Sequence, residues 1–288
     1  MLSLNIDIIV LDHHQSDTKL PSACAIVNPN RYDDTSGLNY LCAAGVCFVF
    51  LVALNKKLRE SKWFKISNIV EPNILEQLDL VSLGTVCDVV PLIGLNRALV
   101  KQGLKILKTK KNLGLKTLLD ICKIESKLTT YHLGYVLGPR INAGGRIGSA
   151  KLGIELLVAQ TDFEAEVIAT KLNALNIERR EIEKKVLEEA NNQLSARDLN
   201  SPLLWASKEG WHPGVVGIVA ARIKEKHNRP AIVIGLENGL GSGSARSIKG
   251  IDIGSAVTRL TRENLIIKGG GHSTVSYTHL TLPTTPYV

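Results

Sequence analysis

The 288 residues contain no repeat of fixed period, which excludes solenoid, collagen and mucin-like architectures. Five cysteines, Cys24, Cys42, Cys47, Cys87 and Cys122, form no Cys-x-x-Cys pair and are odd in number. Neither a disulfide framework nor a cysteine zinc site follows, and buried reduced thiols of a cytoplasmic protein are expected. The most apolar stretch, Tyr40 to Leu54, stops at 15 residues, short of the roughly 20 that cross a bilayer. It is expected as a core helix, with no membrane partner. The N-terminus lacks the charged and cleavage regions of a signal peptide. No Walker A lysine motif or Rossmann glycine fingerprint occurs, so no nucleotide cofactor is indicated.

What is present is a globular composition, 44% hydrophobic and 22% charged. At roughly 100–200 residues per domain, the length predicts two domains. The formal net charge of +8 and a pI near 9.2 point to a polyanionic partner such as nucleic acid.

The predicted elements make an α/β fold. Ile6 to Leu11 is a short β-branched run ending at Asp12-His13-His14, which suits a buried parallel strand that delivers polar residues at its end. A core helix is expected at about 38–58, and a second apolar stretch, Leu78 to Val90, carries the lone Asp88. Arg97, Lys101, Lys105 and Lys108 lie on one face of an amphipathic helix; a solvated face is the plain reading, and the margin of a nucleic-acid groove is the other. From about Asp162 to Leu194 helical spacing of apolar residues predicts one long helix connecting two domains. Beyond it come strand, helix and strand, with a Glu-Asn-Gly turn and a Gly/Ser-rich stretch, as in a small α/β domain. The expected boundaries are 1–160, a connecting helix at 161–197, a second domain at 198–272, and a tail at 273–288. That tail of 16 residues holds no charged side chain, whereas residues 1–272 hold every Lys, Arg, Asp and Glu. Its SYTHLTLPT core is similar to translated sequencing-adapter sequence, so the tail is expected to be non-native and outside the fold.

The chemistry gathers in two places. Asp12, His13 and His14 put one carboxylate and two imidazoles at a strand end, where open α/β sheets bind ligands, and that mixture suits Mn²⁺ or a similar divalent ion. Asp88, amid Val, Cys and Val, needs a cation or hydrogen bonds to offset burial. Capping by Asp12 and a hydrogen-bonded core role for Asp88 also fit these residues. The second place is Gly138 to Arg146, where small residues let a ligand approach and Arg140 and Arg146 can grip phosphate; a glycine-rich turn with solvated arginines is the alternative. His212 precedes a helix whose first N–H groups favour an anion. Ser242 to Ser247 and Gly269 to His272 read as two more turns, and three such turns in one small domain are best explained by a phosphate-bearing ligand.

The motifs IDIIVLDHH, VSLGTVCDVVPL, LGPRINAGGRIGSA, GWHPGVVGIVAARIKEKHNRPAIVI, GSGSARSIKGIDI and GGGH stand in this order. Over roughly residues 4–272 the chain resembles the RecJ-type single-stranded-DNA-specific exonucleases of the DHH phosphoesterase superfamily. The resemblance implies a parallel-sheet DHH phosphoesterase domain joined by a long helix to a smaller α/β DHH-associated domain. It implies a two-metal Mn²⁺ or Mg²⁺ centre with Asp12, His13 and Asp88 as ligands, Asp12 and His14 at the reacting phosphate, and His13 the more direct ligand. It implies that Arg140, Asn142, Arg146, His212, Ser244, Arg246 and His272 hold the DNA strand. The implied reaction is 5′-to-3′ hydrolysis of single-stranded DNA to mononucleotides, in DNA repair and recombination. A phosphoesterase acting on short oligonucleotides or cyclic dinucleotides and a non-catalytic single-strand-binding module are the alternatives.

Departures from the family pattern matter as well. The family carries an Asp-x-Asp-Gly motif and a further metal-binding aspartate upstream of the Asp-His-His motif, and only eleven residues precede Asp12 here. The expectation is a fragment cut at both ends, with its two-metal chemistry impaired.

Overall fold

The computed structural model describes residues 6–16, 18–195, 199, 201–272 and 275–281. Backbone proximity divides the chain into two compact units, Met1–Ile141 with Glu155–Thr170 and Asn142–Ile154 with Lys171–Val288. The division is discontinuous: residues 142–154 belong to the second unit, whereas the sequence boundaries were 1–160, a connecting helix at 161–197 and 198–272.

In the first unit β1 (Ile9–Leu11) and β2 (Ala25–Val27) run parallel, with Ile9 opposite Ala25 and Leu11 opposite Val27. Branched side chains suit the pleat. The expected burial is not reached: Ile9 is 53% exposed and Val27 36%. Among the described residues this sheet has only two strands, too few to bury both faces of a parallel pair.

The rest of the first unit is helical. It contains α1 (Ala43–Glu60), α2 (Trp63–Ile66), a 3₁₀ turn (Ile74–Gln77), α3 (Leu78–Cys87), α4 (Gly94–Leu107) and α5 (Leu113–Ile121). A π-helix (His132–Leu137) then runs into α6 (Gly138–Ile147), and α7 (Lys151–Leu157) and α8 (Asp162–Ser195) follow, each of these three α-helices being divided between the two units. The thiol of Cys42 caps α1 by accepting from the Gly45 N–H, and Lys57 and Arg59 in its last turn complement the carbonyl end. α1 buries Val46 and Phe48, and Phe48 clusters with Leu78, Val81 and Leu99. Leu51, Val52 and Leu54 remain exposed, so the expected core helix is covered on one side only. α3 and α4 approach closely because Gly103 has no side chain: a Cβ there would sit 2.1 Å from the Leu78 carbonyl oxygen. Arg97, Lys101, Lys105 and Lys108 all face solvent. The segment at 138–146, for which a glycine-rich turn was the alternative reading, is helix α6, since the helical bonding begun in the π-helix carries on through its small residues.

The second unit contains β3 (Leu204–Glu209), α9 (Pro213–His227), β4 (Ala231–Glu237), β5 (Leu240–Arg246), α10 (Ile253–Arg262), β6 (Lys268–His272) and β7 (Val275–Thr281). Its sheet has the order β3-β4-β5-β7-β6, parallel between β3 and β4 and antiparallel elsewhere. The stretches at 242–247 and 269–272, expected as turns, are largely strand. Along β5, Gly241, Gly243 and Ala245 are buried while Ser242, Ser244 and Arg246 are half-buried, the period of two that a strand imposes. The sheet also takes in Val275–Thr281 as β7, between β5 and β6, which corrects the expectation that the charge-free tail stands wholly outside the fold.

At 1.5 Å per residue α8 is about 51 Å long. Its residues 162–170 belong to the first unit and 171–195 to the second. Val186, Ala190 and Leu194, four residues apart, close the core of the second unit with Leu204 and Ala206 of β3 and Val215, Val219 and Ile223 of α9. No helix among the described residues is long and apolar enough to cross a membrane.

All five cysteines are free thiols, and the expectation of burial holds unevenly: Cys42 is buried, Cys47, Cys87 and Cys122 are half-buried, and Cys24 is exposed. Burial, with the nearby Asp88 carboxylate adding to it, pushes the Cys87 thiol up to about 11. The thiolate is the reactive form, and at pH 8 only about one Cys87 in a thousand carries it. Brief iodoacetamide treatment of the native chain at pH 8 is therefore expected to label Cys24 first and leave Cys87 unmodified. Mass spectrometry that found Cys87 labelled as fast as Cys24 would contradict this placement.

Candidate functional site

In the first unit the Asp-His-His turn is built on the end of β1. The Asp12 N–H donates to the Val27 carbonyl at 3.0 Å, extending the ladder by one rung. The Asp12 Oδ1 accepts from the backbone N–H groups of His13 (2.7 Å) and His14 (3.2 Å) and lies 2.7 Å from the His14 Nδ1. Burial alone would raise the Asp12 pKa; the His14 side chain and the two backbone donors outweigh it and hold the carboxyl below its ordinary value. Two asparagines after β2 brace the turn from the other side. The Asn28 amide donates to the His14 carbonyl at 2.9 Å and the Asn30 amide to the His13 carbonyl at 2.6 Å.

His13 is thereby turned towards Asp88, its Nε2 lying 3.5 Å from the Asp88 Oδ2. Asp88 closes the C-terminus of α3, its N–H donating to the Gly84 carbonyl. The next residue, Val89, has φ 59°, a left-handed conformation that costs a β-branched residue on the order of 1–3 kcal/mol. Two of the three expected metal ligands, His13 and Asp88, thus face each other, while Asp12 is engaged by His14 and its own turn. Among the described residues no group of three or more His, Cys, Asp or Glu side chains is arranged to hold a metal ion. The residues present therefore do not by themselves fit a complete metal centre, and no hydrolytic step is derived through one.

The second unit carries a cleft lined by two arginines. Arg146, near the end of α6, donates to the Gly214 carbonyl at 3.0 Å. Arg246, the last residue of β5, donates from Nη1 to the Ser244 hydroxyl at 2.7 Å and to the Ala245 carbonyl at 2.9 Å. His212 caps α9, its Nδ1 accepting from the Gly214 N–H at 3.0 Å, and Pro213 occupies the first helical turn. A cavity of about 330 Å³ is lined by Arg146, Ser242, Ser244 and Arg246 together with Pro213 and Gly214 at the head of α9. Desolvation is the largest influence on both arginines and lowers both pKa values; repulsion from Arg179 adds to it at Arg146, where Glu183 partly offsets it, and repulsion from Arg146 adds to it at Arg246. Both remain protonated near neutrality, so the cleft presents two incompletely compensated positive charges beside a helix N-terminus.

Of the residues expected to hold a nucleic acid, Arg146, Ser244 and Arg246 line this one cavity and His212 organises the helix start that forms its wall. Arg140 belongs to the first unit, where it donates to the Val136 carbonyl at 2.8 Å, and Asn142 is exposed on α6 outside the cavity lining. His272 ends β6, but its side chain lies outside the described residues. Sequence reasoning missed Asn28 and Asn30 as braces of the Asp-His-His turn. It also missed Arg179 and Glu183, whose signal was a polar row on α8: Asn176, Arg179 and Glu183 at i, i+3 and i+7.

This combination of fold and cleft has counterparts among known proteins. Residues 200–283 match the DHHA1 domain. The second unit is therefore of the DHHA1 class. The single-stranded-DNA-specific exonuclease RecJ of Salmonella typhimurium is 42% identical over 281 residues, covering 94% of this chain and 48% of that protein. The crystal structure of RecJ in complex with Mn²⁺ from Thermus thermophilus matches with a TM-score of 0.81 and 30% identity, covering 97% of this chain and 39% of that one. The crystal structure of exonuclease RecJ bound to manganese matches with a TM-score of 0.77 and 30% identity, covering 98% and 66%. The chain belongs to the RecJ family, and it spans about half the length of the curated relatives it matches.

The cleft depends on one glycine. A Cβ at Gly214 would lie 2.1 Å from the Arg146 carbonyl oxygen, so Gly214→Ala must push α6 and α9 apart. The expected loss is about 1–3 kcal/mol of unfolding free energy. Urea denaturation that gave the same midpoint for both chains would show that the two helices are not held in this contact.

Proposed function

We propose that the second unit grips the phosphates of single-stranded DNA in the Arg146–Arg246 cleft. We further propose that the family's reaction served by this grip is metal-dependent 5′-to-3′ hydrolysis of the strand to mononucleotides, in DNA repair and recombination. The observation that carries the reading is the convergence of Arg146, Ser244 and Arg246 with the head of α9 on one cavity. A phosphodiester placed there offsets the repulsion between two guanidiniums, accepts their charge-assisted hydrogen bonds and meets the positive end of a helix. Neither cation reads a base, so the grip is independent of sequence.

In this reading His13, Asp88 and Asp12 would hold a Mn²⁺ or Mg²⁺ ion, with His14 beside the phosphate. A divalent ion held there would supply Lewis-acid activation of water and charge neutralisation at the phosphate. Because the described residues do not assemble three ligands, the chain is expected to bind the strand well and hydrolyse it weakly. That same observation favours a second reading, a strand-binding module without hydrolysis.

Binding and hydrolysis are tested apart. With 5′-phosphorylated oligothymidylate and no metal, Arg246→Ala is expected to weaken binding by about tenfold, the loss of one charged hydrogen-bonding group. Unchanged anisotropy titrations would sink the cleft as the phosphate site. With Mn²⁺ added, slow release of mononucleotides that is abolished by Asp88→Ala supports the exonuclease reading. No release at all supports the binding module, and rapid release would refute the claim of an incomplete centre.

A further inference from the structure

Behind Arg146 the second unit contains a second group of cations that the cleft does not use. On α8 the Arg179 side chain is almost wholly buried, at 8% exposure, and its Nη1 donates to the Glu183 Oε2 at 2.6 Å while its Nη2 donates to the Asn176 Oδ1 at 3.1 Å. Its third donor, Nε, is buried without a hydrogen-bond partner. Glu183, only 5% exposed, also accepts from the Arg222 Nε of α9 through its other oxygen. One buried carboxylate thus faces two guanidiniums, one on each oxygen.

A cavity of about 490 Å³ opens on this network. Arg179, Arg180, Lys184 and Arg222 line it, against the carboxylates of Glu181 and Glu183. The excess is two positive charges beside a buried donor that has no hydrogen-bond partner among the described residues. A buried unpaired donor is costly, which marks the Arg179 guanidinium as incompletely satisfied. Phosphate fits this lining better than carboxylate, since its oxygens can meet several of these cations at once.

We infer that the face of α8 and α9 around Arg179, Arg180, Lys184 and Arg222 is a second phosphate subsite. It takes either a later phosphate of a bound strand or a free phosphate, and it rests on the proposed function only for the strand. Arg180 and Lys184 are exposed, so removing them tests the subsite without opening the core.

The full-length chain is titrated with inorganic phosphate by calorimetry and, separately, with oligothymidylate by anisotropy across a salt series. Arg180→Ala/Lys184→Ala and Arg246→Ala are compared with the parent chain, and thermal melting checks that each variant is folded. The parent is expected to take two phosphates and each variant one. If the strand occupies the subsite, the double variant also loses about 1.4 units from the slope of log affinity against log salt, about 0.7 for each lost contact. An unchanged slope with one phosphate lost assigns the subsite to free phosphate. Phosphate stoichiometry and affinity unaltered by the double substitution, or no phosphate bound to the parent, would overturn the inference. If instead only Arg246→Ala were without effect, the cleft reading would fail and the subsite would stand.

Discussion

The repulsion between Arg146 and Arg246 is the constraint around which the second unit is arranged. Two guanidiniums partly withdrawn from water do not stay close unless the backbone holds them there. α6 delivers one and β5 the other. The Gly214 contact brings α9 against the Arg146 backbone, and a network behind it, Arg179 bonded to Glu183, supplies the nearest negative charge. The core of Val215, Val219, Ile223, Leu204 and Ala190 stabilises that placement through apolar burial. Folding energy thus maintains an electrostatic arrangement that is unfavourable without an anion, as in sites preorganised for charged ligands.

The first unit shows the opposite economy. One oxygen of the Asp12 carboxylate, Oδ1, is engaged locally by two backbone donors and the His14 ring. His13 is held differently, by its carbonyl, which Asn30 fixes, so that its imidazole stays directed at Asp88. The strained Val89 beside Asp88 is consistent with backbone geometry set by position and not by local preference.

Much of this was legible in the residues. The long helix was visible because apolar side chains recur every three to four positions among charges, and α8 spans Asp162–Ser195. His212 was legible as a helix cap because His-Pro-Gly before a Val-rich run has few other local solutions. The glycine-rich stretches misled: Gly138 to Arg146 became helix and Ser242 to Arg246 became strand. Glycine has weak local preference, so its neighbours in space decide, and those neighbours come from elements far along the chain. The burial of β1 was overestimated for a related reason, since an apolar run declares what it needs to bury and not what is available to cover it.

The Asn176, Arg179 and Glu183 row marks the limit of such reading most clearly. On the sequence it is an ordinary polar face of a long helix, and a solvated face is the natural reading. Its meaning changes only when α9 brings Arg222 onto Glu183 and the row is sealed from water. Charge on this row is then screened less than at the surface and acts on Arg146 in the cleft. Electrostatic coupling of this kind is a property of burial, and burial is decided by packing between elements that no local pattern encodes. Arg179 and Glu183, which line one cavity, thereby act on Arg146, which lines the other, although the two linings have no residue in common.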